Sequence, residues 1–244
     1  MSIAEDDLAS LWVEPQPPER EVDWPALQFT DVFKIFRSGP VETVALRGLS
    51  LRVARRELVA VLGPSGCGKS TMLALASALD RPSAGEVRVQ ERSLGLLDET
   101  ELADYRARHI ALVFQRDNLI SSLTARENVL LSLRLARHTD SGTAAEEALE
   151  AFGLRQRMSQ RAGSLSGGEQ QRVAVAAAAA RRAPLVLADE PTGELDATNE
   201  QRVLEALREL RDSFGSTVVA VTHSPRVASA ADRVIEMRDG AAIS

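Results

Sequence analysis

Residues 57–62, 109–114, 184–189 and 216–222 are short, nearly continuous apolar runs, cut off on either side by polar or glycine-containing stretches. Runs of this kind fit strands buried on both faces of a parallel sheet, and with helices between them they predict an α/β core. Residues 27–36, 43–53 and 86–90 read differently. They are strand-like pieces with alternating positions, and they predict a small β layer bracketing the loop that follows Leu62. Residues 71–79 read as a helix leaving that loop.

Between residues 117 and 165 the pattern becomes helical. Thr124 with Glu127 and Thr143 with Glu146 both fit the capping box, in which a hydroxyl and a carboxylate satisfy two free helix amides. Val129, Leu130, Leu133 and Ala136 follow helical spacing, as do Ala148, Leu149 and Phe152 before Gly153 offers a stop. These apolar residues are read as the core of a helical lobe. Residues 1–26 are acidic and proline-rich around positions 15–18 and predict a flexible leader, in which Trp12 and Trp24 could pack on something.

A chain of 244 residues with 44% hydrophobic content can fill one large domain or a domain with small lobes. Its 29 Lys+Arg against 35 Asp+Glu give a net charge of −6, so no global basic field argues for nucleic acid, and none is expected as a partner. One cysteine cannot form an intrachain disulfide, and the start Met1-Ser2-Ile3-Ala4-Glu5 has neither the charge nor the apolar core of a signal peptide. A cytoplasmic location is the expectation. The alanine-rich run 173–180 is far shorter than the ~20 residues of a membrane span, so membrane association is expected through a partner.

The candidate chemistry begins at Gly63-Pro64-Ser65-Gly66-Cys67-Gly68-Lys69-Ser70-Thr71, a phosphate-binding loop between a predicted strand and a predicted helix. Glycines let backbone N–H groups curl round phosphate oxygens, Lys69 can reach the β- and γ-phosphates, and the Ser70 hydroxyl can ligate Mg²⁺. The following helix directs its positive end at the same oxygens. Cys67 is either an oxidation-sensitive thiol or a small buried spacer, and the spacer reading is preferred.

Asp189 and Glu190 stand at the carboxyl end of a predicted buried strand, where ligands sit in open α/β sheets. Asp189 is a candidate to hold Mg²⁺, directly or through water, and Glu190 to accept a proton from an attacking water or to orient it. Leu165-Ser166-Gly167-Gly168-Glu169-Gln170 reads as a helix start, with Ser166 and Glu169 fitting a capping box and the glycines permitting close backbone approach. It would be a second anion site, facing a nucleotide held by another subunit, or an ordinary capped helix.

The order of phosphate loop, Gln115, Leu-Ser-Gly-Gly-Glu-Gln, Leu-Ala-Asp-Glu, Glu194-Leu195-Asp196 and His223 resembles the ATP-binding-cassette (ABC) ATPases over nearly the whole chain after residue 26. The resemblance implies a P-loop NTPase (RecA-like) α/β core with a small antiparallel β subdomain and a helical signature subdomain at about 117–180, within a domain at 27–244. It implies ATP and Mg²⁺, a membrane permease, and a second ATPase subunit facing the first head to tail. Ser166, Gly167 and Gly168 of one subunit would then close on the γ-phosphate held by the other. By the same resemblance Gln115 would contact Mg²⁺ and the attacking water, His223 would hold the γ-phosphate and water, and Asp196 would lie in a loop coupling the two sites. Phe36 would stack on adenine. Left to themselves, Asp196 reads as a helix cap and Phe36 equally well as β-layer core.

Residues 114–124 and 187–193 resemble the branch containing the ATPases of lipoprotein release, macrolide export and cell division. Three positions depart from that branch: Glu194 where Asn is common, Ala177 where an Arg is usual, and Ser224 where Asp usually follows the His. A missing Arg at 177 would remove a salt bridge near the acidic strand. The resemblance leaves three functions open: transport or extraction of a hydrophobic or lipid-linked molecule, mechanical signalling through a membrane partner, and a soluble ATPase acting on nucleic acid or ribosomes. The last is disfavoured because such relatives carry paired cassettes or long inserted arms.

Overall fold

The computed structural model describes residues 24–39, 41–138 and 142–243. Two sheets organise them. The first is antiparallel, in the order β2-β1-β4-β5, from β1 (Leu27–Ser38), β2 (Val41–Val53), β4 (Ala84–Val89) and β5 (Arg92–Ser93). The second runs β10-β9-β3-β8-β7-β6, with β3 (Leu58–Leu62), β6 (Ile110–Val113), β7 (Leu185–Asp189), β8 (Thr217–Val221) and β9 (Arg233–Arg238) parallel, and β10 (Ala241–Ala242) antiparallel at one edge. The four runs predicted as buried strands are therefore β3, β6, β7 and β8.

Alternate residues along these strands feed two cores. Val59, Val61, Leu185, Leu187, Val219 and Val221 pack with α1 (Lys69–Ala76) and the antiparallel sheet. Leu58, Val186, Ala188, Val218 and Ala220 pack on the other side with α3 (Ala125–Leu135), α4 (Gly142–Ala151), α5 (Gly167–Ala180) and α6 (Ala197–Asp212). Burial on both faces explains the unbroken apolar runs in the sequence. Val129, Leu133, Ala148, Leu149 and Phe152 lie in the second core, as their spacing predicts.

Several local expectations need correction. Helix α1 begins at Lys69 and ends at Ala76, because its amides start to bond at the loop carbonyl: Met72 N donates to Gly68 O at 2.8 Å. The Thr124 and Ser166 capping boxes form, but α4 begins at Gly142, which leaves Thr143 inside the helix rather than capping it. A third box, Asp98 with Glu101, opens α2 (Glu99–His109), which the periodicity had not revealed. The apolar stripe of α6, the short α7 (Pro225–Ala230) and strands β9 and β10 had likewise gone unread. Trp24 lies under the Arg88 guanidinium, 4.4 Å from the ring centroid, and so packs on the antiparallel sheet. Trp12 and the rest of the leader through residue 23 lie outside the described residues.

Candidate nucleotide site

The loop 63–68 joins β3 to α1 and is held from behind. A Cβ on Gly63 would stand 2.3 Å from Met237 O and 2.6 Å from the Cys67 sulfur, so only glycine fits between β9 and the loop. Gly68, at φ +104°, lies in the left-handed region, and a Cβ there would meet Ala45 O at 2.6 Å. Cys67 is buried in the core, which settles it as the packed spacer. Pro64, Ser65 and Gly66 are exposed on the open side.

Helix α1 has no side-chain cap and no acidic residue in its first turn. In contrast, α2, α3, α5, α6 and α7 are each capped by a side chain. The free N–H groups and dipole of α1 are therefore left for an anion, directly behind the glycine loop. Lys69 is buried, and its ammonium donates to Gly63 O at 2.6 Å and Pro64 O at 3.0 Å, folded back over the cradle it would share with phosphates. Ser70 is exposed and Thr71 half-buried on the same turn. Phe36 is 45% exposed and stands 5.0 Å from the Lys34 ammonium, which rules out its reading as β-layer core.

Strands β7 and β8 bring the acidic pair and the histidine together. Glu190 continues β7, donating its N–H to Val221 O at 2.8 Å, and adopts φ 45°. Its Oε2 accepts from Thr222 Oγ1 and His223 N, each at 3.2 Å, while Oε1 lies 3.5 Å from His223 Nε2. Asp189 is half-buried; burial, and then the adjacent Glu190 charge, push its carboxyl above the usual range, against the pull of Lys69. The Asp189 carboxylate, the Ser70 hydroxyl and the Gln115 amide oxygen are all oxygen donors of the kind Mg²⁺ takes, so in their chemistry these residues fit that ion.

A separate wall is formed by the loop after β6 and the start of α5. Gln171, fully buried, donates from Nε2 to Phe114 O at 2.8 Å and Gln115 O at 3.0 Å, and its Oε1 accepts from Asn118 Nδ2 at 2.7 Å. Asn118 closes the knot by accepting from Phe114 N at 2.7 Å. Sequence reasoning missed both amides; only their polarity at apolar-periodic or turn positions hinted at them. The Gln115 side chain lies against Gly193, where a Cβ would come within 2.6 Å of Nε2.

Ser166 caps α5, and Glu169 returns the bond to Ser166 N at 2.8 Å. Arg157, and then the Ser166 amide, hold the Glu169 carboxyl down at about 2. Gly168 is packed against Asn199, where a Cβ would stand 2.6 Å from Oδ1, and Asn199 Nδ2 donates to Asp196 Oδ2 at 2.7 Å. Asp196 also caps α6 through Thr198 N and Asn199 N. Among the described residues no hydrogen bond joins Ser166, Gly167 or Gly168 to residues 63–71. The signature segment thus rests on its own chain's 195–199 region.

The three departures each find a physical setting. Ser224 caps α7 and donates to Glu200 Oε1 at 2.5 Å, a place where a second carboxylate would repel the first. Ala177 lines an apolar groove with Leu112, Leu119, Leu131 and Leu135 between α3 and α5. Glu194 occupies the left-handed region at φ 65°, where a non-glycine residue costs on the order of 1 kcal/mol, and forms an ion pair with Arg116. A cavity of about 750 Å³ between α4, α5 and α6 includes none of these groups, and its four arginines and four glutamates balance.

The profile of the family described as ABC transporter matches residues 46–193, from β2 through the phosphate loop and signature segment to the turn after Glu190. The chain belongs to the ABC transporter family. It is 43% identical over 219 residues to the lipoprotein-releasing system ATP-binding protein LolD of Anaeromyxobacter dehalogenans, covering 88% of this chain and 92% of that one. It is 40% identical over 222 residues to the macrolide export ATP-binding/permease protein MacB of Hahella chejuensis, covering 90% of this chain but 34% of that longer protein. Among solved structures, the dimeric post-hydrolysis state of the ATP-binding cassette MJ0796 bound to ADP and Pi superposes with a TM-score of 0.81 at 38% identity, over 89% of this chain and 97% of that one. This ABC protein is an ATPase with the fold of those cassettes. Among its described residues no helix is long and apolar enough to cross a membrane.

Proposed function

We propose that this ABC ATPase is the energy-supplying subunit of a transporter, and that it drives a membrane permease in exporting or extracting a hydrophobic or lipid-linked molecule. The observation that carries the ATP site is the uncapped α1 behind the glycine loop, set beside the Asp189, Glu190 and His223 strand ends. Lys69 and the N–H groups of the glycine loop, which Gly63 and Pro64 shape and Ser65, Gly66, Cys67 and Gly68 supply, bind the β- and γ-phosphates, with Ser70 and Thr71 on the first helical turn, and Phe36 stacks on adenine. Mg²⁺, held by Ser70, Gln115 and Asp189, would neutralise charge on the phosphate oxygens. Glu190 orients a water and takes its proton as the water oxygen bonds to the γ-phosphorus and the bond to the β-bridging oxygen breaks, leaving ADP and phosphate. His223 holds the γ-phosphate side of that water.

The resting place of Ser166, Gly167 and Gly168, away from their own phosphate loop, supports a second subunit that brings its signature segment to this nucleotide. Asp196, hydrogen-bonded to Asn199 against Gly168, would couple the two sites. The groove beside Ala177, with Ile120 and Leu135 exposed at its mouth, offers an apolar seat for the permease at the cytoplasmic face. The cargo class rests on the relatives named for lipoprotein release and macrolide export.

The test is purification of the Glu190→Gln protein with ATP from detergent-solubilised membranes of its host, followed by mass spectrometry. A co-purifying polytopic permease is expected. Recovery of soluble partners alone, from intact complexes, would overturn the transport reading. A membrane partner whose loss blocks division but moves no solute would replace transport by mechanical signalling.

A further inference from the structure

Glu194 is an unusual residue to find at φ 65°, because only a short amide or no side chain at all sits easily in the left-handed region. Its side chain spans from the turn after Glu190 to Arg116, the residue directly after Gln115. The same two loops meet a second time, where Gly193 lies flat against the Gln115 amide. Gln115 is thus gripped between neighbours: Gly193 touches its amide, the Arg116–Glu194 pair closes beside it, and Gln171 holds its carbonyl. Leu195, one residue further along, lies 3.5 Å from where a Cβ on Gly167 would be, so the same turn also reaches the signature segment.

We propose that Arg116 and Glu194 form an electrostatic clasp that positions Gln115 for hydrolysis and ties that loop to the turn leading to Asp196. Neither residue touches nucleotide; both act through Gln115. The groups that face the pair are Asp117 on its own loop, which adds negative charge beside Arg116, and the uncharged Gln170 and Gln171 of α5. The pair is exposed, so the clasp weakens as salt rises. It can therefore open and close within a catalytic cycle, which a buried pair could not do cheaply.

The inference rests on the reading of Gln115 as the residue that contacts the attacking water, and steady-state ATPase kinetics on the full chain test both separately. Arg116→Ala and Glu194→Gln should each lower kcat by about two- to fivefold, the range of an exposed ion pair, with KM for ATP unchanged. Wild-type kcat should fall between low and high salt while both variants stay flat. Arg116→Lys, which keeps the charge, and the exchange Arg116→Glu with Glu194→Arg should recover most of the loss. Glu194→Asn, which removes strain and charge together, should raise thermal stability yet show the low, salt-insensitive kcat. If Gln115→Ala lowers kcat but the pair variants keep wild-type kcat and salt dependence, the clasp is wrong while the Gln115 reading stands. If Gln115→Ala itself leaves kcat unaltered, both fall.

Discussion

The loop after β3 and the loop after β6 both leave the carboxyl end of one parallel sheet, yet they are held by different means. Strand β3 is interior, paired to β9 and β8, and its loop is fixed by backbone packing: Gly63 against Met237 O, Gly68 against Ala45 O, and Cys67 buried. Strand β6 is at the sheet edge, bonded only to β7, and its loop is fixed by side chains: the Gln171–Asn118 knot and the Arg116–Glu194 pair. Packing against backbone has one solution and does not give. Polar side-chain links have alternatives in water and can be exchanged. The first wall is built to hold phosphates in a fixed cradle, the second to move when a partner subunit or permease pulls on it.

The largest effect should come from the chemistry between the walls. Glu190→Gln should lower kcat by about 100-fold or more and leave an ATP-bound dimer that light scattering detects; turnover at the wild-type rate with no such dimer would sink the assignment of the base. Asp189→Asn should abolish Mg²⁺-dependent hydrolysis while making the nucleotide-free protein more heat-stable at neutral pH. The sign follows from the raised carboxyl: its ionised form is disfavoured by folding, a penalty relieved as pH falls through the raised value and absent in the amide. A lowered melting temperature in chelator would count against it.

Two glycines sharpen the contrast between the walls. Gly63→Ala meets a carbonyl that cannot withdraw and should destabilise the protein by about 1–3 kcal/mol in denaturant titration. Gly193→Ala meets the end of the flexible Gln115 side chain, so it should leave stability nearly untouched while reducing kcat. Equal stability losses at both would erase the distinction. Gln171→Leu should cost about 1 kcal/mol, since it removes the donor to Gln115 O and the acceptor for Asn118 Nδ2, while Phe114 O keeps its bond from Asn118. The smallest effect is acid sensitivity at Glu169: with its carboxyl held at about 2, its contribution is complete above the ordinary glutamate range and fades as pH drops toward that value. Glu169→Gln should flatten the melting temperature between pH 5 and pH 3, by comparison with the wild type.

Much of the site could be read from the chain because each part has a local cause. The phosphate loop announces itself by glycine spacing between a buried strand and a helix. The Thr124 and Ser166 caps are short-range patterns that the structure repeats bond for bond. Where reading failed, the deciding interaction was distant in sequence. Thr143 and Glu146 have the spacing of a cap, but α4 already begins at Gly142 and Glu146 is held instead by Arg126, 20 positions away. Phe36 could not be told from core until the antiparallel sheet left it exposed.

By itself, then, the sequence determined the strands that must be buried, the cradle for phosphate and the order of the motifs, since these depend on periodicity and on neighbours within a few residues. Tertiary structure alone decided that Glu190 accepts a hydrogen bond from the His223 N–H, and that Arg116 reaches Glu194 across 78 positions of chain. Contacts of that reach are set by which strands lie side by side, and no local pattern encodes the neighbour of a strand.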